Sequence, residues 1–123
     1  MEIQELRIGN YYRWNSFVGE AEENMSISQW SIIDFEEAND TDFMSHCFPI
    51  PLTEEWLEKF GFEYDIETKS YSILIHLEKH DYLFEVSNKY QQYFQPDFIG
   101  IDIKYVHQLQ NLCFASTNEE LCI

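Results

Sequence analysis

The stretch Pro49-Ile50-Pro51-Leu52-Thr53-Glu54-Glu55-Trp56-Leu57-Glu58-Lys59-Phe60-Gly61-Phe62 carries the start and stop signals of one short helix, Glu54 to Phe60. The Thr53 hydroxyl is placed to accept from the free N–H groups of the first turn. Glu54 and Glu55 put negative charge at the positive end of the helix dipole. Leu52 and Leu57 have the spacing of a hydrophobic staple, and Gly61 can adopt the left-handed conformation that ends a helix and returns Phe62 to Leu57. So short a helix is not stable alone, so Trp56, Leu57 and Phe60 must be held by a surface. That surface is expected to be a sheet built from the flanking segments.

On the N-terminal side, Leu6 to Trp14 is rich in aromatic residues and reads as a first strand with a bulge or bend at Gly9-Asn10. Ser16 to Asn24 reads as a turn, and Met25 to Phe35 as a second strand that pairs back on the first as a hairpin. Glu36 to Ser45, acidic and poor in strand formers, reads as an exposed loop. On the C-terminal side, Phe62 to Asp65, Tyr71 to Leu77 and Tyr82 to Val86 form an antiparallel meander. Tyr71, Ile73, Ile75 and Leu77 share one face, opposed by Leu83 or Phe84 according to register. Asn88 to Pro96 leads into a last strand, Phe98 to Ile103. Lys104 to Ala115 has apolar residues at helical spacing, Tyr105, Val106, Leu109, Leu112 and Cys113. Glu119 to Ile123 is a candidate terminal edge strand. The expected fold is α+β: one domain with a curved, mainly antiparallel sheet of about five to six strands, a short central helix and a longer C-terminal helix.

A chain of 123 residues, 45% hydrophobic, has material for one core. No apolar run approaches the roughly 18 residues that span a bilayer, and Met1 to Glu5 lacks a secretory pattern, so a cytoplasmic location is expected. Three cysteines, Cys47, Cys113 and Cys122, are an odd count that suits free thiols. The outlying feature is charge. There are 23 Asp and Glu against seven Lys and Arg, a formal net charge of -16. Such a surface repels nucleic acid and anionic membranes, so direct partners of either kind are not expected.

Three segments carry a resemblance: Leu6-Arg7-Ile8-Gly9-Asn10-Tyr11, then Pro49 to Leu57 with Phe60-Gly61-Phe62, and Ile103-Lys104-Tyr105-Val106-His107-Gln108-Leu109-Gln110-Asn111-Leu112 with Glu119-Glu120-Leu121. Together they resemble a group of small uncharacterised bacterial and prophage-borne proteins. Cys113 stands where an aromatic residue is usual in that group, and Ser116 and Asn118 replace commoner choices. The resemblance implies a compact α+β fold and a mobile-element setting, and it brings no catalytic residues.

Residues that might carry chemistry are sparse. His76 and His80 straddle a strand end and a turn rather than one helical face, which does not favour a shared metal. His107, Cys113 and Cys122 lack the spacing of soft-ligand sites, and His46 and Cys47, as neighbours, point apart. His107 and Gln110 flank apolar positions and read as buried hydrogen-bonding residues. The acids lack Asp-x-Asp metal spacing and no phosphate loop is present. No cofactor, metal or enzymatic activity is therefore expected.

Between Trp14 and Glu58 there is no Lys or Arg. Carboxylates held on a rigid fold can occupy sites meant for phosphates. The reading that follows is a phage or prophage-type anti-defence protein. Its acidic surface would bind the basic nucleic-acid channel of a host protein, a CRISPR effector or restriction nuclease, as anti-CRISPR inhibitors do. The candidate protein-binding residues are Glu20, Glu22, Glu23, Asp34, Glu36, Glu37, Asp40, Asp42 and Phe43, with Trp14 and Trp30 as further aromatic candidates that could instead be core. The alternative is a housekeeping or virion accessory domain whose acidity serves solubility.

Overall fold

The computed structural model describes residues 6–14, 26–31, 34, 46–89, 92–96 and 102–123. It is α+β. In chain order the elements are β1 (Tyr11–Trp14), β2 (Ser26–Gln29), β3 (Cys47–Phe48), α1 (Glu54–Lys59), β4 (Glu63–Asp65), β5 (Ser70–His76), β6 (Asp81–Lys89), β7 (Gln92–Phe94), β8 (Asp102–Ile103) and α2 (Val106–Thr117). The expectation of one sheet is corrected: the strands form two antiparallel sheets, β2-β1-β3 and β4-β5-β6-β7-β8. The second contains the expected three-stranded meander and is larger than expected because the polar run after Val86 continues as strand to Lys89 and pairs with β7, with Asn88 opposite Tyr93.

Helix α1 has the ends that its sequence specifies. Thr53 accepts from the Trp56 amide at 3.4 Å. At the other end the Phe62 amide bonds the Leu57 carbonyl and the Gly61 amide the Glu58 carbonyl, each at 3.0 Å, with Gly61 at φ +96°. This paired closure satisfies carbonyls that the helix leaves open. The buried face is Trp56, Leu57 and Phe60. Tyr11 meets the Trp56 ring at 5.7 Å and the Phe60 ring at 6.1 Å, which binds the helix to β1.

Within the larger sheet the register puts Tyr71 opposite Val86, Ile73 opposite Phe84 and Ile75 opposite Tyr82. Phe84, not Leu83, is therefore the residue that faces the core. Leu74 and Leu83 oppose each other on the other face, about half exposed. The inner face joins Trp56, Leu57, Val106, Leu109 and Cys113 in the main core. A smaller cluster of Leu6, Tyr12, Trp30 and Cys47 lies on the other side of β1, where Trp14 packs and Tyr12 meets Trp30 edge-on at 5.3 Å. Strand alternation thus sends Tyr11 into one cluster and Tyr12 into the other.

The segment after β3 bridges the parts. Leu52 donates to the Lys104 carbonyl at 2.9 Å and Val106 to the Ile50 carbonyl at 2.8 Å, so residues 50–52 run antiparallel to the entrance of α2. Helix α2 starts two residues later and ends two residues later than the sequence suggests. The Gln108 side chain reaches back to the Lys104 and Tyr105 amides, and Asn118 closes the far end at φ +61°. The first strand begins at Tyr11 rather than Leu6, because Gly9 at φ +98° turns the chain before it. Residues 119–123 are not the expected edge strand: the tail is irregular and held by single bonds, Gln110 to the Leu121 carbonyl at 3.1 Å and the Ile123 amide to the Tyr11 hydroxyl at 3.3 Å. The proposed turn at 16–24, the acidic loop at 36–45 and the first half of the last strand lie largely or wholly outside the described residues.

Candidate functional site

Glu20, Glu22, Glu23, Glu36, Glu37, Asp40, Asp42 and Phe43 lie outside the described residues. Asp34 is described and is half-buried. Its carboxylate accepts from the Ser31 amide at 2.8 Å and the Ser31 hydroxyl at 3.1 Å, while its own amide donates to that hydroxyl at 3.4 Å. A reciprocal pair of this kind opens a helix, so Asp34 is engaged with its own backbone. Trp30 is buried in the smaller cluster, which corrects its candidacy as an interaction anchor. Trp14 is half-buried, beside the His46 ring at 5.9 Å.

The residues considered for metal or nucleophilic chemistry are dispersed. His76 bonds Asp81 at 2.9 Å across the β5–β6 hairpin, and the His80 carbonyl accepts from Leu77 at 3.1 Å. His107 is buried and stacks on Tyr105 at 5.8 Å. Burial pushes the Cys113 thiol up to about 11, against a hydrogen bond from Thr117 that acts the other way. It is therefore protonated at neutral pH and a poor nucleophile. All three cysteines are free, with Cys47 and Cys113 buried and Cys122 exposed. Among the described residues no group of His, Cys, Asp and Glu could hold a metal ion, and no helix is long and apolar enough to cross a membrane.

What the fold does assemble is an open cleft beside the N-terminal half of α1. Leu52, Thr53, Glu54, Glu55, Asn88 and Tyr93 line a hollow of about 440 Å³. Past Leu52 and Tyr93 it adjoins a second, of about 200 Å³, whose walls add Gln92, Asp102, Ile103 and Lys104. Each wall has a local cause. The Thr53 cap sets Glu54 and Glu55 in the exposed first turn, the β6–β7 turn brings Tyr93 opposite Asn88, and the 50–52 bridge holds Leu52 against β8. Glu54 lies close enough to the sheet beneath for its carboxylate to act on the Tyr71 hydroxyl. Burial first, then the nearby Glu54 carboxylate, push the Tyr71 hydroxyl well above its ordinary value, and burial with the Glu54 charge raises Tyr93. Sequence reasoning did not find this cleft, because α1, β6, β7 and β8 meet only in the folded chain. The one available signal was the concentration of tyrosines after Asn88.

The described cations are partly occupied. Arg7 pairs with Glu120 and lies 3.7 Å over the Phe114 ring, Lys59 pairs with Glu55 at 3.6 Å, and Arg13 donates to the Pro49 carbonyl at 3.0 Å. Exposed Glu54, Glu58, Glu63, Asp65 and Glu67 have no Lys or Arg partner among the described residues. Compared with known proteins, the chain matches no family model, no curated protein and no solved structure.

Proposed function

We propose that the chain is an interaction protein that engages a basic, nucleic-acid-binding channel of a host protein, in the manner of an anti-defence inhibitor of a CRISPR effector or restriction nuclease. The observation that carries this reading is uncompensated charge. A formal net of -16 on 123 residues is coupled to a segment from Trp14 to Glu58 with no Lys or Arg. The exposed carboxylates on α1 and β4 that lack a described cation supply fixed negative charge of the kind a phosphate-binding channel accepts. The surrounding field would speed encounter and make it sensitive to salt. The three segments that resemble prophage-borne proteins supply the anti-defence setting, and this step is an analogy.

One observation favours the second reading, an accessory domain whose acidity serves solubility. The described carboxylates are spread over several elements: Glu54 and Glu58 are on α1, Glu85 on β6, Asp102 on β8 and Glu119 and Glu120 in the tail. The deciding experiment is inhibition of a CRISPR effector or restriction nuclease acting on its nucleic acid. It is repeated across salt concentrations with wild type and with charge reversal at Glu22 and Glu23, or at Glu36 and Glu37. Inhibition that fades with salt and with either reversal supports the inhibitor; equal potency of wild type and both reversals removes it and leaves the accessory domain.

A further inference from the structure

We infer that the cleft beside α1 receives an arginine side chain of the protein partner. This deepens the interaction reading given above and rests on it. The floor is apolar, with Leu52 buried, Ile103 buried and the half-buried Tyr93 ring shared between the two hollows. The rim is acidic: Glu54 and Glu55 at one end and Asp102 at the other, with Lys104 the cation in the smaller hollow. An aliphatic stem ending in a flat, delocalised cation matches that combination, since the stem covers apolar floor, the guanidinium lies on a tyrosine face and its N–H fork meets a carboxylate. A phosphate or a nucleic-acid strand does not, because the rim would repel it.

The same chain shows both halves of the interaction elsewhere. Arg7 lies over Phe114 while pairing with Glu120, and Lys59 lies 4.9 Å from the Trp56 ring centre while pairing with Glu55. At the cleft, the ring and the acid are present and the described residues place no cation on Glu54. The charge of the whole molecule then selects basic partners before contact, and the cleft selects arginine on contact.

The test is an amide NMR titration of the intact chain with acetyl-Gly-Gly-Arg-Gly-Gly-amide, and with the same peptide carrying neutral citrulline in place of arginine. The arginine peptide is expected to give saturable shifts at Leu52, Thr53, Asn88 and Tyr93, and the citrulline peptide none. Glu54→Gln, at an exposed position, keeps the size of the side chain and loses only the charge, so it should keep the dispersed spectrum and weaken binding by about tenfold, the scale of one charge-assisted hydrogen bond. Glu67→Gln, exposed on the β4–β5 turn, should leave affinity unchanged. Shifts that spread over every acidic segment without saturating, or equal weakening by Glu54→Gln and Glu67→Gln, would overturn the arginine site. Peptide binding at the cleft without inhibition of any nuclease would sink only the anti-defence reading. Inhibition without peptide binding would sink only the cleft.

Discussion

Gly61 is the residue on which the end of α1 depends. A Cβ there would meet only Ile73 Cδ1 at 3.7 Å, so space is not the obstacle; the φ of +96° is. Gly61→Val is expected to cost about 1–2 kcal/mol or more, and Gly61→Asn less, because Asn tolerates left-handed backbone. Equal denaturant midpoints for the two variants would contradict that account. Buried Tyr71 and Cys113 make a second prediction, about alkaline pH. Both groups hold their protons more tightly in the fold than in the unfolded chain, where a thiol titrates near 9.0 against about 11 at Cys113. For a raised value, stability is fully present below the unfolded pKa and declines as pH rises towards the folded one. Unfolding free energy should therefore fall between about pH 9 and pH 11, and Cys113→Ala should remove on the order of 1–2 kcal/mol of that fall. If wild type and Cys113→Ala lose the same stability over that range, Cys113 is not responsible.

At the scale of elements, the joint between β1 and α2 is polar although it is buried. Gln110 accepts from the Tyr11 amide at 2.9 Å and donates to the carbonyls of Gly9 at 3.0 Å and Leu121 at 3.1 Å. Beside it Asn10 donates to Asn111 at 2.9 Å and accepts from the Arg7 amide at 2.7 Å. Gln110→Leu would leave the buried Tyr11 amide and Leu121 carbonyl without that partner and the Gly9 carbonyl with Gln29 alone, a loss of about 2 kcal/mol or more. A melting temperature close to wild type in that variant would refute the joint. The same joint explains what was legible beforehand. Thr53, Gly61 and the apolar spacing of Val106, Leu109 and Cys113 act within a few residues, so helix ends and faces could be read from order alone. Segments 6–11, 49–52 and 104–121 stood out as patterns, but their mutual contact depends on bonds between distant residues, from the Gln110 side chain to one and from the backbone to the other, and so their structural role did not show. The meander β4-β5-β6 was legible, but its extension into β7 was not, because Asn88, Lys89 and Gln92 are poor strand formers that enter the ladder only as a continuation of the β5–β6 pairing. The cleft escaped for a like reason: Glu54, Tyr71 and Tyr93 belong to three elements.

For the whole molecule, charge opposes folding. With a formal net of -16, like charges repel across a small surface, and the ion pairs Arg7–Glu120 and Lys59–Glu55 are too exposed to offset much of it. Raising NaCl from about 0.01 M to about 1 M shortens the screening length from about 30 Å to about 3 Å and should raise the melting temperature. A fall in melting temperature would mean that specific ion pairs outweigh the repulsion. The Gln110 joint has a consequence of another kind, in time rather than in energy. The Tyr11 amide finds its acceptor 99 residues further along, and the Gly9 carbonyl, which also accepts from Gln29, a second donor 101 residues on. A chain emerging from the ribosome can therefore pair β1 with β2 and cover Tyr12 with Trp30 early, while the Tyr11 amide keeps no partner from α2 until nearly all of the sequence has been synthesised. The joint of the first strand to α2 is among the last contacts to be secured, and a protease or chaperone in the cell meets it open in that interval.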